Sequence, residues 1–189
     1  YNGVDLQVMK PCHTKLRNSY QLEDKKVILG VASVWNEKKG LVIFRELVNR
    51  LPGICQIVMI GVSDKQKREL PENILCLNKV GYTELAEWYS TADIYVNGSV
   101  EETMGLTTVE AMACGTPVVV QNATAVPEVV GEGCGIVVEK GDIEGMTAAI
   151  HRISKTPEIS ARCREHAEKY EKSGQNEQYY RLYQELVNS

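Results

Sequence analysis

From residue 25 onward, short and almost uninterrupted apolar runs alternate with stretches whose apolar residues recur at helical spacing. Runs such as Ile57-Val58-Met59-Ile60 and Val118-Val119-Val120 have no polar face to offer water, so strands made from them must be covered on both sides. Alternation of this kind marks β-α-β units and predicts an α/β fold, a doubly wound parallel six-stranded sheet with helices on both faces. The expected strands are 27–32, 56–60, 73–77, 93–96, 117–120 and 135–138. Between them, 41–51 stops at Pro52-Gly53, 83–91 opens on Thr83 as N-cap with Leu85, Trp88 and Tyr89 inward, and 142–153 opens on Asp142.

In open parallel sheets, ligands bind outside the carboxyl ends of the strands. Three loops qualify: 33–40, 61–63 and 97–106. The last runs into the most distinctive segment of the chain, Glu102-Thr103-Met104-Gly105-Leu106-Thr107-Thr108-Val109-Glu110. Thr107 and Glu110 have capping-box spacing, which predicts a helix N-cap at Thr107. Gly115 and Pro117 end that helix, so it is expected over 108–114. Its N–H groups and positive dipole end favour an anion such as phosphate, and Gly105 allows close backbone approach.

A single helix over 102–110 would hold the two carboxylates about 12 Å apart along its axis, too far for one small ligand. A break at Gly105 removes that objection, and two acceptor-only side chains suit the hydroxyls of a sugar or ribose. The structural alternative makes Glu110 a capping partner only and leaves Glu102 with Glu101 in a solvated acidic loop. Loop 33–40 places Lys38 and Lys39 before Gly40, where an ammonium can meet phosphate oxygens; two solvated lysines are the alternative. The glycines match neither the dinucleotide fingerprint nor the P-loop, which disfavours a dehydrogenase or a P-loop ATPase.

A net charge of −4 and a pI near 5.5 argue against a polyanion-binding surface, so no nucleic-acid partner is expected. The six cysteines form no C-x-x-C pair and are read as reduced core residues of a cytosolic protein; with the three histidines dispersed, no metal site is expected. The chain shows no secretory leader and no apolar run near the length of a membrane span. The opening Tyr1-Asn2-Gly3-Val4-Asp5 lacks an initiator methionine, which suggests a fragment of something longer. Residues 157–189 are expected to be helical, broken at Lys172-Ser173-Gly174-Gln175, with Tyr170, Tyr179, Tyr180 and Tyr183 forming a packing face.

Taken in order, these residues resemble the C-terminal, donor-binding half of retaining group 1 glycosyltransferases, two-domain enzymes of the GT-B fold. The likeness rests on the E-x7-E motif from Glu102 to Glu110 within E-T-M-G-L-T-T-V-E-A-M-A-C-G-T-P-V-V. It is extended by Lys39-Gly40, Ala125-Val126-Pro127-Glu128, Gly133-Cys134-Gly135-Ile136-Val137-Val138 and residues 142–150, and it covers nearly the whole chain. The resemblance implies a Rossmann-like domain over 25–156, preceded by an interdomain linker over 1–24. Helices over 157–189 would pack on a missing N-terminal acceptor domain.

The resemblance also implies a nucleotide-diphosphosugar donor, by default a UDP-sugar, with no further cofactor, and a saccharide or glycolipid acceptor. The protein would be cytoplasmic, and membrane association would come only through the missing domain. Glu102 would hold a donor-sugar hydroxyl, and Lys39 would offset charge on the leaving diphosphate, making these two the catalytic pair. Gly40, Thr103, Met104, Gly105, Leu106 and Thr107 would cradle the donor, while Glu110 would take the ribose hydroxyls. Base contacts are expected around residues 78–82. The family's usual arginine, five residues before Lys39, is here Val34, with Lys38 the nearest substitute; Met104 stands where an aromatic is common. A nucleotide-sugar-binding module without transferase activity, a sugar-nucleotide epimerase or a generic interaction domain are the alternatives.

Overall fold

The computed structural model describes residues 2–187. Tyr1 of the opening pentapeptide, and Asn188 and Ser189 of the C-terminal stretch, lie outside those residues. Six strands form the sheet: β1 (Lys26–Val31), β2 (Cys55–Ile60), β3 (Ile74–Leu77), β4 (Ile94–Asn97), β5 (Val118–Gln121) and β6 (Gly135–Val138). They lie in the order β3-β2-β1-β4-β5-β6, and every pairing is parallel. The order reverses between β1 and β4, which opens a crevice at their carboxyl ends.

Alternation along each strand divides the interior in two, because successive side chains leave opposite faces of the sheet. Val27, Leu29, Val58, Ile60, Tyr95, Val118 and Val120 enter one core; Ile28, Ile57, Met59, Ile94, Val96 and Val119 enter the other. The second core is closed by α2 (Leu41–Arg50) and α6 (Ile143–Arg152), through Phe44, Leu47, Met146 and Ile150. The first is closed by α4 (Tyr82–Thr91), α5 (Leu106–Ala113) and α7 (Pro157–Ala167). Asp142 caps α6 by accepting from the Gly145 N–H, as its position predicts.

Two short helices had no apolar periodicity to announce them. The four-residue α1 (Leu16–Ser19) buries nothing, and α3 (Asp64–Glu69) is charged at every position but Gln66. A capping box between Ser63 and Gln66 starts α3. Helix α4 begins one residue earlier than expected, with Gly81 rather than Thr83 as its N-cap. The expected break at 172–175 falls instead at Glu171, between a 3₁₀ turn (Glu168–Tyr170) and α8 (Lys172–Val187). The Glu171 carboxylate accepts from the Ser173 and Gly174 N–H groups, so Gly174 lies inside a helix that Glu171 starts.

The N-terminal segment is part of this body. Val4, Leu6, Met9 and Leu22 are buried in the first core. The Val4 N–H donates to the Tyr170 carbonyl at 2.7 Å, and the Lys172 N–H returns to the Val4 carbonyl at 3.0 Å. Of the tyrosines in the C-terminal stretch, Tyr170 is buried, whereas Tyr179, Tyr180 and Tyr183 are exposed along α8. All six cysteines are free; Cys114, Cys134 and Cys163 are buried, but Cys12 is exposed rather than a core residue.

Candidate active site

Two left-handed glycines shape the crevice. Gly40, at φ 75°, stands at the start of α2, where a Cβ would lie 2.2 Å from the Gly98 carbonyl oxygen. Only a residue without a side chain lets this turn press against the loop that follows β4. The two loops are joined by the Val100 N–H, which donates to the Lys38 carbonyl at 2.9 Å. Gly105, at φ 79°, starts α5, and there a Cβ would have ordinary clearance from Val126.

Because Gly105 occupies the N-cap position, Thr107 already lies inside the first turn and no capping box forms with Glu110. The Thr107 hydroxyl instead accepts from the Tyr95 phenol at 2.8 Å, and that of Thr108 accepts from the Asn97 amide at 3.0 Å. Glu110 is released to face the crevice. Its carboxylate takes one bond from the Tyr89 phenol at 3.0 Å and a longer one from the Tyr82 phenol at 3.4 Å.

At the other end of the motif, Lys39 and Glu102 form an ion pair at 2.7 Å, in which the Glu102 side chain is only 16% exposed. The Glu102 N–H donates to the hydroxyl of Thr124, a non-glycine residue at φ 50°. Lys39, Glu102, Thr103, Met104, Gly105, Leu106 and Thr107 surround a cavity of about 290 Å³ floored by Val31, Ala32 and Ser33. Met104 is buried, Thr103 exposed. A second cavity of about 270 Å³ shares Val31, Ala32, Ser33 and Thr107 with the first and continues past Glu110, Tyr82, Leu85, Val80 and Lys79. The N-terminus of α5 stands between the two.

With this geometry in place, the relatives of the chain become informative. Residues 13–170 match the sequence family described as glycosyl transferases group 1. The chain belongs to this family. It is 28% identical over 187 residues to the sulfoquinovosyl transferase SQD2 of Arabidopsis thaliana, covering 89% of this chain and 36% of that one. A sucrose-phosphate synthase from Thermosynechococcus elongatus superposes with a TM-score of 0.86 at 24% identity, covering 99% of this chain and 52% of that one. The Anabaena HepE protein, solved in complex with UDP-glucose, also superposes at 0.86, with 20% identity and coverage of 98% and 56%. The chain spans less than half the length of the curated relatives it matches.

In this group 1 glycosyltransferase chain Lys39, Glu102, Thr103, Met104, Gly105, Leu106, Thr107 and Glu110 all line the two adjoining cavities, though not in every expected role. Glu110 does not cap its helix. Lys38, the nearest substitute for the arginine absent at Val34, pairs with Glu101 on the surface at 2.7 Å. Val34 itself is 64% exposed, and among the described residues lining the first cavity Lys39 alone is a cation.

Burial pushes the Glu110 carboxyl up to about 7, and the bonds from Tyr89 and Tyr82 only partly oppose that rise. The same burial, together with the facing Glu110 charge, holds both tyrosines well above the usual phenol range, so they remain donors. Sequence reasoning places Tyr89 on an apolar face and overlooks its hydroxyl tip; it misses Thr124, and it includes Tyr82 only as the end of the stretch expected to contact the base, not as a partner of Glu110. A tyrosine directly before Thr83, and a second tyrosine seven residues later, about two turns along the same helix, were the available signal. Among the described residues, no group of three or more His, Cys, Asp or Glu comes together in a way that could hold a metal ion. No helix among them is long and apolar enough to cross a membrane.

Proposed function

We propose that this chain is the donor-binding half of a cytoplasmic retaining glycosyltransferase that moves a hexose from a nucleotide-diphosphosugar to a saccharide or glycolipid acceptor. The observation that carries this reading is the pair of adjoining cavities on either side of the α5 N-terminus. One is the more polar of the two and holds a lysine and a carboxylate; the other is walled by Val80, Leu85 and Tyr82 and ends on Glu110. A diphosphosugar ending in a nucleoside has that sequence of chemistry. UDP-glucose bound to HepE, which shares this fold, supports a UDP-sugar as donor.

In this reading, Lys39 stabilises charge that develops on the departing diphosphate. The N–H groups of Met104, Gly105, Leu106 and Thr107, aligned with the α5 dipole, meet the sugar or the phosphates, with Gly40 and Thr103 completing the cradle. Glu102 exchanges its bond to Lys39 for a hydroxyl of the sugar, and Glu110 accepts from the ribose hydroxyls. The bond from the anomeric carbon to the diphosphate breaks, and the acceptor oxygen bonds to that carbon from the same face. Its proton passes to the departing phosphate oxygen. The acceptor is held by a further N-terminal domain, with 1–24 as linker, and any membrane contact is made there.

The test is thermal unfolding of the chain with UDP, GDP and ADP and their sugars. At 100 times its dissociation constant a ligand adds about 2.7 kcal/mol of stability. Stabilisation by one nucleotide family, lost in Glu110→Ala and Lys39→Ala, is the expected result. Equal stabilisation of the variants would place the nucleotide elsewhere.

A further inference from the structure

The two phenols on Glu110 are not equivalent. Tyr89 is fully buried and lies 3.0 Å from Glu110 Oε2, wedged against Tyr95 with ring centroids 5.7 Å apart. Tyr82 is the first residue of α4, is 43% exposed, and reaches Oε1 only at 3.4 Å. Moving Tyr89 would open a core; moving Tyr82 breaks one long bond and keeps the ring in contact with water. The Asp5 backbone N–H also faces the Tyr82 phenol and favours its charged form, so Tyr82 stands between Glu110 and the N-terminal segment, next to the residue paired with Tyr170 and Lys172.

We propose that Tyr82 is a displaceable latch on Glu110: its phenol holds the oxygen that a ribose hydroxyl takes, and donor binding frees it from both Glu110 and Asp5. This rests on the reading of Glu110 as the ribose acceptor. Tyr82 is thus a positioning residue that sets the affinity for the ribose and links its occupancy to the segment around Val4 and Asp5. Tyr89 stays in place and orients the carboxylate, so the latch has one moving part.

The decisive comparison is between UDP and its 2′,3′-dideoxy analogue, titrated against the wild-type chain and Tyr82→Phe at a pH above the Glu110 titration at about 7. Loss of one modest hydrogen bond to a competitor should tighten UDP binding about three- to tenfold in Tyr82→Phe. The dideoxy analogue, which has no hydroxyl for Glu110, should bind both proteins alike. UDP should also speed amide exchange at Asp5 in the wild type and leave it unchanged in the variant. Unchanged or weaker UDP binding by Tyr82→Phe overturns the latch and leaves the ribose reading standing. Failure of the wild-type chain to prefer UDP over the dideoxy analogue overturns the ribose reading itself, and the latch with it.

Discussion

Glu110 shows how a single residue changes its role when the helix start moves by two positions. With Gly105 as the left-handed N-cap, Glu110 has no cap to serve, and two tyrosines satisfy its oxygens instead. Burial raises this carboxyl from 4.5 to about 7, so between those values the native chain keeps a proton that the unfolded chain has released. Stability is therefore fully present below about 4.5 and falls as pH rises through about 7, by a total on the order of 3 kcal/mol. In Glu110→Gln that slope should vanish, which urea unfolding across this pH window would detect; an unchanged slope would assign it to another group. The same titration predicts that a nucleotide sugar binds more tightly above pH 7 than below it, because only the carboxylate accepts from both ribose hydroxyls.

At the scale of elements, the crevice depends on two helix starts that use glycine for different reasons. Gly40 has both a left-handed φ and no room for a Cβ beside Gly98, whereas Gly105 has the φ but adequate space. Gly40→Ala should thus cost about 3 kcal/mol or more, from strain plus overpacking, and Gly105→Ala about 1–2 kcal/mol, from strain alone. Chemical denaturation of both variants checks the order. Gly40→Ala should also weaken nucleotide binding, since its turn carries Lys39 to Glu102. Strands and long helices were legible because their apolar period is also their burial pattern: residues 27–29 alternate between the two cores as a parallel strand must. Helix α3 was not, although Ser63 and Gln66 spell its capping box, because a charged six-residue helix carries no apolar stripe.

At the scale of the whole molecule, the chain spans less than half the length of its curated relatives, and the proposed reaction assigns the acceptor to a further domain. The chain should bind the donor sugar nucleotide but transfer the sugar at least about 100-fold more slowly than a longer form of the protein that also holds the acceptor. Equal rates in a radiolabelled-sugar transfer assay would contradict the division of labour. Exposed Tyr179, Tyr180 and Tyr183 on α8 fit the proposal that this end packs on a further domain. What the sequence by itself determined was the sheet, its order of elements and the gathering of Lys39, Glu102 and Glu110 at one edge. Hydrophobic period and glycine position are local properties, and strand carboxyl ends converge in any doubly wound sheet. What only the tertiary structure decided was the partner of each charge. Lys39 joins Glu102, Lys38 joins Glu101, and Glu110 meets Tyr82 and Tyr89. These contacts span from 21 to 63 residues, and their partners are chosen by packing between elements, which no local pattern records.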